Sequence, residues 1–295
     1  MAQVLSEHPS VIWNFKADLG EGPVWDEQNK LLYWLDIKGC LLLILDTKNG
    51  HKKTIELTTQ ISALALKTDK GLIAATKNGF ADLDPDTGKI GFIADPEKHL
   101  SSNRFNDGKC DHAGNFIAGT MDDSEKQPLG TVYRLNAQHQ VKTLFGGYIV
   151  CNGPAFSPDG RTLYFSNSAE HEILKFDYDP AAGTVGDPVP FAKIPDTLGF
   201  PDGLTVDAEG YIWCAHWDGW QLTRFTPDGK TDRAVQFPVP LVTSCTFGGV
   251  GYDTMFVTTA RTGLNKDALN KAPLSGSLFA FRPGVLGLSA NRFAG

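Results

Sequence analysis

Four short motifs in this chain each begin with a side chain that offers an oxygen, and each leads into an apolar run. They are Glu21-Gly-Pro-Val-Trp-Asp, Asn106-Asp-Gly-Lys-Cys-Asp, Asn152-Gly-Pro-Ala-Phe-Ser and Asp202-Gly-Leu-Thr-Val-Asp. The runs that follow occupy residues 31–35, 115–118, 162–166 and 211–215. If the motifs stand at equivalent places around one axis, their leading side chains converge on one point. Two carboxylates and two amides meeting there suit a hard divalent cation, which takes oxygen ligands. Glu21 and Asp202 balance its charge, and the Asn oxygens add ligands without repulsion. So few protein ligands leave positions for water or substrate, as a catalytic metal requires. Asp-Gly and Asn-Gly are also common turn dipeptides. Recurrence at one repeat position favours the site, and so does Glu-Gly-Pro, which is not a standard turn signature. Asp159-Gly, Asp228-Gly and Asp86-Thr-Gly fall between strands and read as turns only.

The elements that must position these residues are strands. Thirty-one glycines and 17 prolines punctuate short runs of β-branched, aromatic and leucine residues. That is the profile of an all-β protein built from hairpins. Helical periodicity is nearly absent, residues 266–270 excepted. Two weaker relatives of the leading motifs begin at Ser62 and Ser244, making six units. They recur roughly every 40–50 residues, the spacing of β-propeller blades. A third strand follows in most units, at 131–135, 173–178, 221–226 and 277–281, and a fourth completes a blade. The expected fold is a six-bladed β-propeller of four-stranded blades around a central channel. Residues 11–15 should supply an outer strand to the last blade and close the ring, removing a sheet edge that could template aggregation. No linker splits the chain, so residues 1–295 read as a single domain.

In such a ring the residue just before each inner strand faces one mouth of the channel, and the loops joining second to third strands open on that mouth. Asp36-Ile-Lys38, Asp122-Asp-Ser124, Asn167-Ser168, His216-Trp217-Asp218 and residues 259–261 should therefore rim a pocket. Asp122 and His216 are candidate substrate contacts, with Trp217 as an aromatic wall for a sugar-like ligand. Arg104, two residues before Asn106, should reach the same mouth, where a forked guanidinium binds an oxyanion or several hydroxyls.

A formal charge of −7 and the absence of Lys/Arg runs argue against nucleic acid or an anionic membrane as partner. Cys40, Cys110, Cys151, Cys214 and Cys245 are odd in number, scattered, and form no C-x-x-C pair. Most sit in apolar strand patterns as small hydrophobes, which favours a reducing compartment. The N-terminus has neither the basic nor the apolar region of a signal peptide, and no run approaches a membrane span. The expected setting is cytoplasmic, with a monomer or weak dimer.

The stretches Leu19-Gly-Glu-Gly-Pro-Val-Trp, Arg104-Phe-Asn-Asp-Gly-Lys-Cys-Asp, Ala118-Gly-Thr-Met, Asn152-Gly-Pro and Pro201-Asp-Gly resemble the sugar-lactonase family of gluconolactonase and regucalcin. The likeness runs from about Trp13 to Arg261, and five motifs in the same order make it specific. It implies one divalent metal held by Glu21, Asn152 and Asp202, with Arg104 and Asn106 contacting the substrate. In regucalcin-like members a Glu after Gly-Thr-Met helps bind sugar hydroxyls; here Ser124 takes that place, beside Asp122, Asp123 and Glu125. The expected activity is hydrolysis of an aldonolactone to its aldonic acid. The metal would polarise the carbonyl, and Asp202 would direct water as general base. Oxygen ligands admit Ca, Mg or Mn, and Zn and Fe(II) also accept such sites. The rivals are phosphotriester or ester hydrolysis on the same metal site, and a non-catalytic calcium-binding propeller. No Gly-x-Ser-x-Gly elbow suggests a serine hydrolase.

Overall fold

The computed structural model describes residues 6–295. The first five residues, part of the N-terminal stretch considered above, lie outside the described residues. Six antiparallel sheets follow one another along the chain, and each inner strand packs against the inner strand of the next. The inner strands are Gly20–Asp26, Ile61–Leu66, Asn103–Cys110, Cys151–Phe156, Phe200–Val206 and Val242–Gly248. The last packs back on the first, so the sheets form a ring, a six-bladed β-propeller. Blade four carries one additional two-residue strand, Thr184–Val185.

Ring closure is made by the N-terminal strand. Ser10–Trp13 pairs antiparallel with Leu278–Phe281 as the outer strand of blade six. Trp13 then packs edge-on against Trp34 of blade one, with ring centroids 5.5 Å apart. The seam is thus apolar as well as hydrogen-bonded. Between blades the core is built from alternate strand positions: Trp34, Phe80, Phe116, Phe165 and Trp213 are all fully buried. The one α-helix among the described residues, Lys266–Lys271, is capped by Asn265, whose side chain accepts from Ala268 N at 2.9 Å. No described helix is long and apolar enough to cross a membrane.

Every inner strand slips register against its neighbour near the same end. The shifts fall between Glu21 and Val24, Ile61 and Ala63, Phe105 and Asp107, Asn152 and Ala155, Pro201 and Leu204, and Val242 and Ser244. Bulges bend a strand and re-aim its side chains, and they recur beside active sites. Gly153 shows why the sequence needs glycine there. Its φ is +42°, and a Cβ would lie 2.7 Å from Leu204 N. Across the opposite mouth run the C-terminal residues 286–294. They bond to Ala208 of blade five, Tyr252 of blade six, Thr68 of blade two and Gly114 of blade three.

Candidate active site at the channel mouth

The bulged ends of the inner strands gather around a cavity of about 530 Å3 at one mouth of the channel. Glu21, Arg104, Asn106, Asn152 and Asp202 all line it. The two carboxylates are almost wholly removed from water, Glu21 at 8% exposed and Asp202 at 5%. Burial, and then the charge of Asp107, push the Glu21 carboxyl up to about 8. Burial, followed by Glu21 and Asp107, holds Asp202 well above the carboxylate range. Acids crowded in a dry site cannot all ionise together, and a cation beside them would favour their charged forms.

The amides are fixed by their neighbours. Asn152 Nδ2 donates to Ser168 Oγ at 3.0 Å, and Asn152 Oδ1 accepts from Asn106 Nδ2 at 2.7 Å. Asn106 Nδ2 also donates to Cys151 O, and Asn106 Oδ1 accepts from Arg104 Nη1 at 2.9 Å. Arg104 in turn donates through Nε to Asp123 at 2.7 Å. An unbroken chain of side-chain hydrogen bonds thus runs from Asp123 through Arg104, Asn106 and Asn152 to Ser168. Among the described residues the Nη2 of Arg104 has no partner, and the guanidinium faces the cavity.

The residues present fit a divalent cation. Glu21 and Asp202 supply two buried carboxylates, and the Arg104 charge offsets the effect of burial on Glu21 only in part. Asn152 offers an amide oxygen whose orientation is set by the Ser168 contact. Among the described residues no cluster of three or more His, Cys, Asp or Glu is arranged for a metal. The candidate centre at the channel mouth therefore depends on an amide for its third oxygen.

Asp122 and His216 are not brought to the cavity wall. The Asp122 carboxylate turns into its own loop, accepting from Ser124 Oγ at 2.6 Å and from the backbone of Ser124, Lys126 and Gln127. Those bonds, the Ser124 hydroxyl first, hold it down at about 2. Ser124 faces Asp122, while Asp123 and Glu125 on either side line the cavity. His216 is 1% exposed and lies behind the wall, its Nδ1 donating to Leu198 O at 2.8 Å. Its neighbour Trp217 lines the cavity instead, with Phe200. Of the other expected rim residues, Lys38 and Ser168 reach the wall, and residues 262–263 take the place of 259–261. Asp36 binds the backbone of Asp18, Leu19 and Gly39.

Asp107 and Lys109 are prominent channel residues that the motif reading passed over. Asp107 accepts from Gly108 N and from Gly153 N at 2.7 and 2.9 Å, tying blade three to the Asn152 bulge. Burial raises its pKa. Lys109 donates to Leu204 O at 2.6 Å, and burial lowers its pKa. The signal was present in Asn-Asp-Gly-Lys, a polar run inside an inner strand.

A bulged six-bladed ring thus gathers acids, amides and one arginine around a cavity at a single channel mouth. Residues 19–261 match the model of the SMP-30/Gluconolactonase/LRE-like region, and the chain belongs to that family. It is 33% identical to regucalcin of Gallus gallus over 284 residues, which cover 94% of this chain and 95% of that protein. It is 34% identical to the 6-deoxy-6-sulfogluconolactonase of Pseudomonas putida over 280 residues, again 94% and 95%. The crystal structure of the calcium-binding protein regucalcin from Agrobacterium tumefaciens superposes with a TM-score of 0.92 at 29% identity, covering 99% of both chains.

Proposed function

We propose that this protein is a metal-dependent lactone hydrolase that opens a sugar lactone to its aldonic acid. The observation that carries the reading is the pairing, in one cavity, of the buried Glu21 and Asp202 carboxylates with the Arg104–Asn106–Asn152 hydrogen-bond chain. The relatives named as lactonases support the same chemistry. Glu21, Asn152 and Asp202 would hold the cation, which supplies Lewis-acid polarisation of the lactone carbonyl. Arg104 presents its free Nη2 to a ring hydroxyl or to oxygen charge developing on the substrate. Asn106 is oriented by Arg104 and Asn152 to meet the same substrate edge. Asp202 would direct the attacking water as general base; a carboxylate on a cation is a weak base, so its help is mainly positional.

Six charged side chains line the cavity against two aromatic ones, Phe200 and Trp217. That balance favours a hydroxyl-rich sugar lactone over an aromatic ester or phosphotriester. The five free cysteines, four of them buried, fit a reducing compartment such as the cytoplasm. The test is acid release from a panel of aldonolactones before and after chelation, with single divalent ions added back. Hydrolysis that vanishes on chelation and returns with one ion is the expected result and names the metal. Metal binding without turnover of any lactone would instead favour a calcium-binding role.

A further inference from the structure

We propose that His216 and His171 are positioning residues for Asp202. They hold, from opposite sides, the backbone that delivers this carboxylate to the channel mouth. The inference rests on the reading of Asp202 as a metal ligand and adds residues that do not touch the ligand site.

The backbone from Leu198 to Asp202 is held mainly by side chains. Leu198 O accepts from His216 Nδ1 at 2.8 Å, and Gly199 O from His171 Nδ1 at 3.0 Å. Pro201 O accepts from Ser168 Oγ at 2.6 Å, and Asp202 O from Ser166 Oγ at 2.7 Å. Four of five consecutive carbonyls therefore end on side-chain donors. The reason is the bulge. Phe200 and Pro201 pair with Trp217 and His216, and register then breaks before Leu204, so the ladder holds neither Leu198 and Gly199 on one side nor Asp202 on the other. Because a carbonyl only accepts, each imidazole must carry its proton on Nδ1.

The two histidines come from different blades. His171 follows the short 3-10 turn Ser168–Glu170 of blade four in a left-handed conformation, φ 53°. Its ring lies against Phe200, with centroids 4.2 Å apart. His216 belongs to the second strand of blade five, in register with Pro201. Between them the chain passes so closely that a Cβ on Gly199 would lie 2.1 Å from Trp217 O. Phe200 and Asp202 both line the cavity, so a shift of this segment moves an aromatic wall and a ligand together.

The test compares His216→Leu and His171→Leu, which remove the donor, with His216→Asn and His171→Asn, whose amide can restore it. Divalent-cation binding is measured by calorimetry with Mn2+ and with Ca2+, beside melting temperature and lactone hydrolysis. Outer partners of metal ligands typically cost 10–100-fold in affinity when removed. The Leu variants should bind at least tenfold more weakly, and the Asn variants should recover most of that loss. His171 is partly exposed, so its Leu variant stays informative if His216→Leu fails to fold. Leu variants that bind as the parent does, or Asn variants no better than Leu, overturn the proposal while leaving the lactonase reading intact. A parent protein that neither binds a divalent ion nor opens a lactone overturns both.

Discussion

Asn106 Nδ2 stands 2.7 Å from Asn152 Oδ1, so the amide of blade three is locked onto the amide of blade four at the channel mouth. The same Asn106 receives Arg104 Nη1 on its oxygen. All of its polar atoms are therefore engaged, and it acts as the joint between a substrate-facing guanidinium and a candidate metal ligand. Asn106→Ala should lower kcat/KM by about 10–100-fold while the protein still binds its ion, because Glu21, Asn152 and Asp202 remain. Steady-state kinetics beside metal analysis of the purified variant check this. Outright loss of metal would make Asn106 a ligand.

Arg104 is held by Nε to Asp123 and by Nη1 to Asn106 and Phe105 O. A lysine cannot reproduce that fork. Arg104→Lys should therefore behave nearly as Arg104→Ala, each losing about 2–4 kcal/mol of transition-state stabilisation if Nη2 meets developing charge as an oxyanion donor does. Kinetics on a neutral aldonolactone decide it, and a Lys variant with parental kcat/KM would refute the fork.

Proton release should accompany metal binding. Glu21 titrates at about 8 in the metal-free fold against an ordinary value of 4.5. A carboxyl raised in this way favours the fold below pH 4.5, and that contribution is lost as pH climbs through 8. The metal-free protein should melt at falling temperature across that window, and saturating divalent ion should remove the decline. Calorimetric titration in buffers of differing ionisation enthalpy should show protons leaving at pH 7, and affinity should rise toward pH 8.5.

The ring seam gives a prediction about stability. Trp13 is buried against Trp34 and Phe15, with centroids 5.5 and 5.7 Å away. Trp13→Ala should cost about 3–5 kcal/mol, the usual range for a large aromatic removed from a core. Chemical denaturation should show a lower midpoint at an unchanged slope, and channel-mouth residues should keep their metal affinity at low denaturant.

Glu21, Asn106, Asn152 and Asp202 were legible because an oxygen-bearing residue recurs at one place in four of the six units, although that place lies within the inner strand at its bulge and not before the strand. The ring and its closing strand followed from the same spacing. Neighbouring residues at the strand ends were harder to assign. Successive side chains of a strand face opposite sides, and a single register step decides which of two polar neighbours meets the cavity. Asp123 faces it while Asp122 binds its own loop, and Trp217 faces it while His216 turns to Leu198 O. Bulges set that step, and a bulge inside Asn-Asp-Gly reads in sequence as a turn. The same ambiguity hid Asp107.

The strand that closes the ring has a temporal consequence. Ser10 and its partner Ala280 lie 270 residues apart, so the closing strand cannot pair until the blades between them have been made. Until then the Ser10–Trp13 strand has no sheet to join and the Trp13 surface stays wet. Contacts so distant in sequence are slow to form. Closing the ring therefore joins two strands far apart in sequence, and the unpaired Ser10–Trp13 strand is open to other chains until it does.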